Sequence, residues 1–318
     1  MDTKVSSQVS FVTVPEDYTD QRVDNFIFAK FRKVPKSRIY RAIRKGEVRV
    51  NKKRVTAETR IQPGDIVRIP PMHVSESDNI PLKPSQQWLK IMANSILYED
   101  DGILAINKPS GISVHGDTGA YGVIEVMRAL YPQYPHLELA HRIDKETSGC
   151  LLLAKKRGVL KQLHTAFREG DVQKTYYALT LGKWKKSELH VEVPLKRCER
   201  QTGECVVLVD KTHGKISLTN FEILDKFEEG EGVLAHPVTG RTHQIRVHAQ
   251  YRGHPLAGDS KYGDPDFNTQ LKTLGLNRLF LHAMKLKITL PGVSQPIKVQ
   301  APLPVELTKV LENLTRIA

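Results

Sequence analysis

Cysteine is scarce in this 318-residue sequence. Cys150, Cys198 and Cys205 are odd in number and match no paired C-x-x-C pattern, which argues against a disulfide framework and against a zinc or redox site, so reduced thiols are expected. No apolar run approaches the ~20 residues needed to span a bilayer. The opening MDTKVSSQVS also lacks an apolar signal segment, so a soluble, cytoplasmic protein without a membrane partner is expected. There is no G-x-x-x-x-G-K-[ST] loop and no G-x-G-x-x-G turn after a strand, which leaves nucleotide cofactors without a seat. His141-Arg142-Ile143-Asp144 superficially suggests a kinase catalytic loop. Its aspartate comes one place late, Gly149 stands where a metal-binding Asn is needed, and no D-F-G follows. The twelve histidines offer no evident metal site: His243 and His248 in GRTHQIRVH fall on opposite faces of a strand and well apart on a helix, with no carboxylate or cysteine near them in sequence.

Positive charge is abundant. The formal net charge is +13 and the pI is near 9.5, a balance that favours a polyanionic partner. Residues 21–70 hold 15 lysines and arginines against 4 acids, a net of +11. That segment is patterned as a small domain. Val23, Phe26, Ile27 and Phe31 recur at helical spacing. A second helix is expected through SRIYRAIRK, capped by Ser37 and stopped by Gly46, with Ile39, Ala42 and Ile43 inward and Arg38, Arg41 and Lys45 on another face. Val48 and Val50 alternate with Arg49, Asn51 to Lys53 form a turn, and Ile66 to Ile69 read as a strand after Pro63-Gly64-Asp65. A basic helix followed by a basic hairpin suits a phosphate backbone, where affinity comes largely from counterion release. Arg38, Arg41, Lys45, Arg49, Lys52, Lys53 and Arg54 are the candidate contacts to RNA or DNA. The segment resembles the alpha-L RNA-binding domain, chiefly through RKGEVRVNKKR (Arg44 to Arg54). Residues 1–20 read as an N-terminal extension. Residues 71–90, with three prolines and weak periodicity, read as a linker. A second domain is expected over residues 91–318.

That second domain carries His141-Arg142-Ile143-Asp144-Lys145-Glu146-Thr147-Ser148-Gly149, followed by the apolar run Cys150 to Ala154. An isolated aspartate among basic residues is ordinarily a surface ion pair of little energetic weight. The full nonapeptide, however, resembles the signature of the RluA-type pseudouridine synthases, with Ile143 where Leu is usual. QKTYYAL (Gln173 to Leu179) and GRTHQIRVH (Gly240 to His248) match two further elements of that family in the same order. NKPSGISVHG (Asn107 to Gly116) and NRLFLHA (Asn277 to Ala283) also agree. The pairing with an alpha-L domain is nearest to the branch that modifies large-subunit ribosomal RNA.

The resemblance implies an α+β protein: a small basic N-terminal RNA-binding domain plus a catalytic domain on a mixed, mainly antiparallel sheet. It implies isomerisation of uridine to pseudouridine in large-subunit ribosomal RNA, transfer RNA being the lesser alternative, with no obligate protein partner. Nothing is oxidised and nothing leaves, so neither cofactor nor metal is required. Asp144 is implied as the nucleophile, Arg246 as the cation that keeps it charged in a mostly dry pocket, and Tyr176 as the ring that stacks on uracil. Tyr177, its strand neighbour, points to the core. Arg142 is implied to enter the stack left by a flipped base. His141 is read as shaping the loop, and Lys155, Lys156 and Arg157 either as phosphate contacts or as a solvated tail. Two rivals are a non-catalytic assembly factor and a methyltransferase; the second lacks the glycine-rich turn its methyl donor needs.

Overall fold

The computed structural model describes residues 8–31, 34, 36–72, 84–116, 121–199, 205–291 and 295–317. They divide into two units, Met1–Pro81 and Leu82–Ala318.

In the first unit, β1 (Ser10–Thr13) and β2 (Gln21–Arg22) precede α1 (Val23–Lys30) and α2 (Lys36–Arg44). Four short strands follow: β3 (Arg49–Val50), β4 (Lys53–Arg54), β5 (Arg60–Ile61) and β6 (Ile66–Ile69). The inward positions of both helices, Val23, Phe26, Ile27, Ile39, Ala42 and Ile43, close with Val48, Val67 and Ile69 into one apolar core. α2 gives way to Gly46 at φ +71, a left-handed position that glycine adopts without strain. The Ser37 side chain, expected as the cap of α2, lies outside the described residues. The hairpin turn is narrower than expected: Asn51 and Lys52 both have positive φ, as the two central residues of a type I′ turn require. β1 pairs with β6 from Ser10↔Ile69 to Thr13↔Ile66, so part of the segment read as an N-terminal extension contributes an edge strand.

The second unit also begins earlier than expected. α3 (Gln86–Ala93) starts inside the segment read as linker, where Ser85 caps it by accepting the Trp88 N–H. After it come β7 (Ile96–Glu99), β8 (Ile103–Lys108), α4 (Val123–Leu130), β9 (Glu138–Leu139), β10 (Ser148–Ala154) and α5 (Arg157–Glu169). The chain continues through β11 (Val172–Leu181), β12 (His190–Glu192), β13 (Leu195–Glu199), β14 (Cys205–Val209), β15 (Leu218–Lys226) and β16 (Gly230–Pro237). It ends with α6 (Gln244–Tyr251), α7 (Pro265–Thr273), β17 (Leu281–Ile288), β18 (Ile297–Gln300) and α8 (Val305–Asn313).

Ten of these strands form one sheet, ordered β12-β15-β16-β11-β17-β10-β8-β7, with β18 on β17 and β9 on β10. Only β10 and β17 run parallel; the other described pairings are antiparallel, which gives the mixed, mainly antiparallel sheet. β10 is buried along its whole length, the pattern of a strand covered on both faces. Its alternate residues separate two cores, Leu151 and Leu153 under α4 and Leu152 and Ala154 against α5. Gly149 lies at φ +111, and a Cβ there would run into the Ala283 carbonyl of β17. On the other half of the sheet, Ala178, Val233 and Ala235 pack against Ile245 and Ala249 of α6. The opposite face, with Tyr177 and Leu179, packs against α7 and α8. Tyr176 belongs to the cores on both sides of the junction between the halves.

Candidate active site

Asp144 sits on the loop between β9 and β10, held from beneath. Its carbonyl accepts the Thr147 N–H at 3.2 Å, closing a tight turn. The Asn107-to-Gly111 segment grips the next residues. Gly111 N–H donates to the Lys145 carbonyl at 2.9 Å, and Ser110 Oγ donates to the Glu146 carbonyl at 2.7 Å. Lys108, fully buried, donates from Nζ to the carbonyls of Pro109, Ile112 and Lys145 at 2.8, 2.9 and 3.0 Å. Burial pushes its ammonium down to about 7. His141 stacks on Phe167 with centroids 4.6 Å apart, and its Nε2 accepts the Leu152 N–H at 3.0 Å. That bond needs an unprotonated Nε2, in keeping with burial pushing the imidazole down to about 3. His141 therefore packs the loop onto β10, as expected. Asp144 itself is left one-fifth exposed.

Arg246 faces it from α6. The sequence left strand and helix open for this segment; the apolar positions Ile245, Val247 and Ala249 are all buried on a helix that the sheet and the β13–β14 hairpin enclose. The two-bond partner of Arg246 is not Asp144 but Asp259. Arg246 Nε and Nη2 each donate at 2.7 Å to the two oxygens of Asp259, while Nη1 lies 3.7 Å from Asp144 Oδ2. Burial opposes both charges of the inner pair, but the hydrogen bonds between them prevail, raising the arginine and lowering the aspartate. Asp259 also accepts the N–H groups of Lys261 and Tyr262 at 2.9 and 3.0 Å, and the Tyr262 ring lies 4.9 Å from the guanidinium carbon.

Tyr176 completes the constellation. Its strand neighbour Tyr177 turns to the opposite face, where its hydroxyl donates to Asp225 at 2.7 Å. Burial, and next the charge of Asp144, hold the Tyr176 phenol well above its ordinary range. Asp144, Tyr176 and Arg246 line one cleft of about 720 Å³, within the range of small-ligand sites. Arg142, Arg168, Lys174 and Arg241 line it too, against Glu169. Arg142 is exposed, free to reach outward. Lys155 is neither a phosphate contact nor a solvated tail: it is buried and donates at 2.6 Å to Glu99 Oε1 and to the Asp100 carbonyl. Arg157 opens α5.

Sequence reasoning missed Asp259 and passed over His243 after rejecting it as a metal ligand. The signal for Asp259 was an acid enclosed by glycines in Gly258-Asp259-Ser260-Lys261-Tyr262-Gly263. Among the described residues no group of three His, Cys, Asp or Glu could hold a metal ion. No described helix is long and apolar enough to cross a membrane.

In the first unit, Arg41, Lys45, Arg49, Lys52, Lys53 and Arg54 are exposed. Arg38 is partly spent on Glu47, 3.3 Å away. Arg54 donates to the Lys45 carbonyl at 3.2 Å, which draws hairpin and helix end together.

The profile of the RNA pseudouridylate synthase family matches residues 102–251, and that of the S4 domain matches residues 21–67. Ribosomal large subunit pseudouridine synthase C of Pasteurella multocida is 48% identical over 315 residues, covering 98% of this chain and 96% of the relative. The protein of that name in Escherichia coli K12 is 48% identical over 309 residues, covering 96% and 97%. Among solved structures, human RNA pseudouridylate synthase domain containing 4 superposes with a TM-score of 0.59 at 28% identity, covering 71% of this chain and 94% of that one. With an S4 domain ahead of a catalytic domain of matching fold, the chain belongs to the RNA pseudouridine synthase family and is an enzyme of that class.

Proposed function

We propose that the substrate is uridine in large-subunit ribosomal RNA rather than transfer RNA, acted on in the cytoplasm, with Asp144 as nucleophile. The relatives that match nearly the whole chain are named for that subunit. The observation that carries the assignment of residues is the meeting of Asp144, Arg246 and Tyr176, far apart in sequence, in one basic cleft.

The reaction breaks the bond from ribose C1′ to N1, forms one from C1′ to C5, and moves a proton from C5 to N1. Atoms and electrons balance without a co-reactant. The Asp144 carboxylate splits this change into easier steps while the freed uracil stays enclosed. Arg246 Nη1 offsets its charge through the intermediate stages. The Tyr176 ring supports the uracil face while it turns. A paired uridine has to leave its stack, at a cost of a few kcal/mol, and Arg142, exposed at the cleft, fills the gap. The first unit contributes phosphate contacts through Arg41, Lys45, Arg49, Lys52, Lys53 and Arg54, with a weaker share from Arg38, and the catalytic domain occupies the rest of the chain after the S4 domain.

The test is pseudouridine mapping of large-subunit RNA in cells lacking the gene, complemented with wild type or with Asp144→Asn. Specific marks should vanish and return only with wild type. Marks that survive the deletion, or return with the Asn variant, overturn the assignment.

A further inference from the structure

His243 lines the cleft beside Asp144 and Arg246. It precedes α6 in a left-handed conformation, φ 51 and ψ 20, which a non-glycine residue adopts only at a cost of order 1 kcal/mol or more. That backbone turn brings the imidazole against Tyr262, with His243 Nδ1 2.8 Å from the Tyr262 hydroxyl. The tyrosine is buried, and its oxygen already accepts the Val207 N–H at 2.8 Å.

These contacts fix proton positions. A backbone amide only donates, so the Tyr262 oxygen is an acceptor toward Val207 and its single proton is free for His243. A protonated Nδ1 would face the same oxygen with two donors arriving and the phenolic proton left unspent in a buried place, at a cost of the order of a lost hydrogen bond. The favoured arrangement has Tyr262 O–H donating to an unprotonated Nδ1. The imidazole proton is then on Nε2, the nitrogen left for a molecule in the cleft. Burial also pushes His243 below its ordinary value, against the opposing pull of Asp144, a direction that favours the neutral ring.

We infer that His243 is a substrate-binding residue, held by Tyr262 as an Nε2–H donor to an acceptor oxygen of the target nucleotide. Uracil and ribose are rich in such oxygens, and a neutral donor leaves the charge balance between Asp144 and Arg246 undisturbed. The inference deepens the reading of the cleft as the uridine site and rests on it. It explains a strained histidine and the hydroxyl of Tyr262, whose ring and backbone N–H already support Arg246 and Asp259.

Side-chain amides test it by geometry, since the Gln amide nitrogen overlays His Nε2 and the Asn amide overlays Nδ1. In single-turnover assays of the full chain on a large-subunit RNA fragment, His243→Ala should lose on the order of tenfold or more in rate. His243→Gln should recover much of the loss, and His243→Asn should not. A merely structural histidine would give the reverse order, because Asn keeps the contact with Tyr262. Asn equal to or faster than Gln overturns the proposal, as does Ala at the wild-type rate. A second measurement needs no RNA. The ¹⁵N spectrum of histidine-labelled protein, with His243 identified by its loss in His243→Gln, should show the Nε2–H tautomer, and Tyr262→Phe should shift it toward Nδ1–H. An Nδ1–H tautomer in the wild type overturns the proposal whatever the target. Absence of product from the wild type speaks instead against the choice of RNA.

Discussion

Arg246 gives its two-bond face to Asp259, at 2.7 Å for each contact, and reaches Asp144 through Nη1 alone at 3.7 Å. The inner carboxylate thus fixes the guanidinium plane, and the outer one, partly exposed, stays available to substrate. Removing one member of a buried pair strands the other's charge. Asp259→Asn should therefore cost about 3–5 kcal/mol of stability in urea titrations. Arg246→Lys, which cannot bridge the two acids in this geometry, should lower the single-turnover rate by at least about tenfold. An Asp259→Asn protein as stable as wild type would show that the inner pair does not anchor Arg246.

Tyr176 combines a ring that lines the cleft with a phenol that burial and Asp144 hold above its ordinary range. Tyr176→Phe should bind target RNA as wild type does. Tyr176→Ala should bind more weakly by about 1–3 kcal/mol, the usual worth of one base–aromatic stack. Fluorescence titration with a labelled RNA fragment separates the two. Equal affinity of the Ala variant and wild type would remove the stacking role.

Buried histidines predict how stability depends on acid. Burial pushes His141 down to about 3, and His248 and His282 down to about 4. A histidine whose folded value lies below its unfolded value of about 6.5 contributes stability that is complete above 6.5 and lost as pH falls toward the folded value. Between about pH 6.5 and 4 each group should remove up to about 1.4 kcal/mol per pH unit. The urea midpoint should fall steadily from pH 7 to pH 4.5, before carboxylates protonate. A flat midpoint over that interval would contradict burial of these rings.

Exposure in the first unit separates its cations. Arg41→Gln and Lys53→Gln, both exposed, should each reduce the slope of log affinity against log salt by about 0.7–0.9. Arg38→Gln should change it less, because Glu47 already neutralises that side chain. A salt titration of RNA binding reads all three, and equal slopes throughout would exclude this surface from phosphate contact.

The sequence by itself determined the two-part organisation and the helical faces of the S4 domain, and its resemblance to the synthase family singled out Asp144, Tyr176 and Arg246 as candidates. The helical faces follow from local pattern, since apolar periodicity sets which side is buried; adjacent residues on a strand face opposite ways, which separates Tyr176 from Tyr177. Only the tertiary structure decided what long-range contact sets. Helix and strand are hard to tell apart in short apolar runs such as Gln-Ile-Arg-Val-His, and enclosure by the sheet and the β13–β14 hairpin made that segment α6. β1 joined the first sheet because Ile66–Ile69 offered it an unpaired edge. Asp259, thirteen residues beyond Arg246, became its partner because a turn closed by its own backbone hydrogen bonds carries the acid under the helix. The tautomer of His243 depends on a tyrosine nineteen positions away and on the amide of Val207. Sequence patterns show which residue types the chemistry needs; which atoms meet, and which proton lies between them, is settled by packing among segments that are distant along the chain.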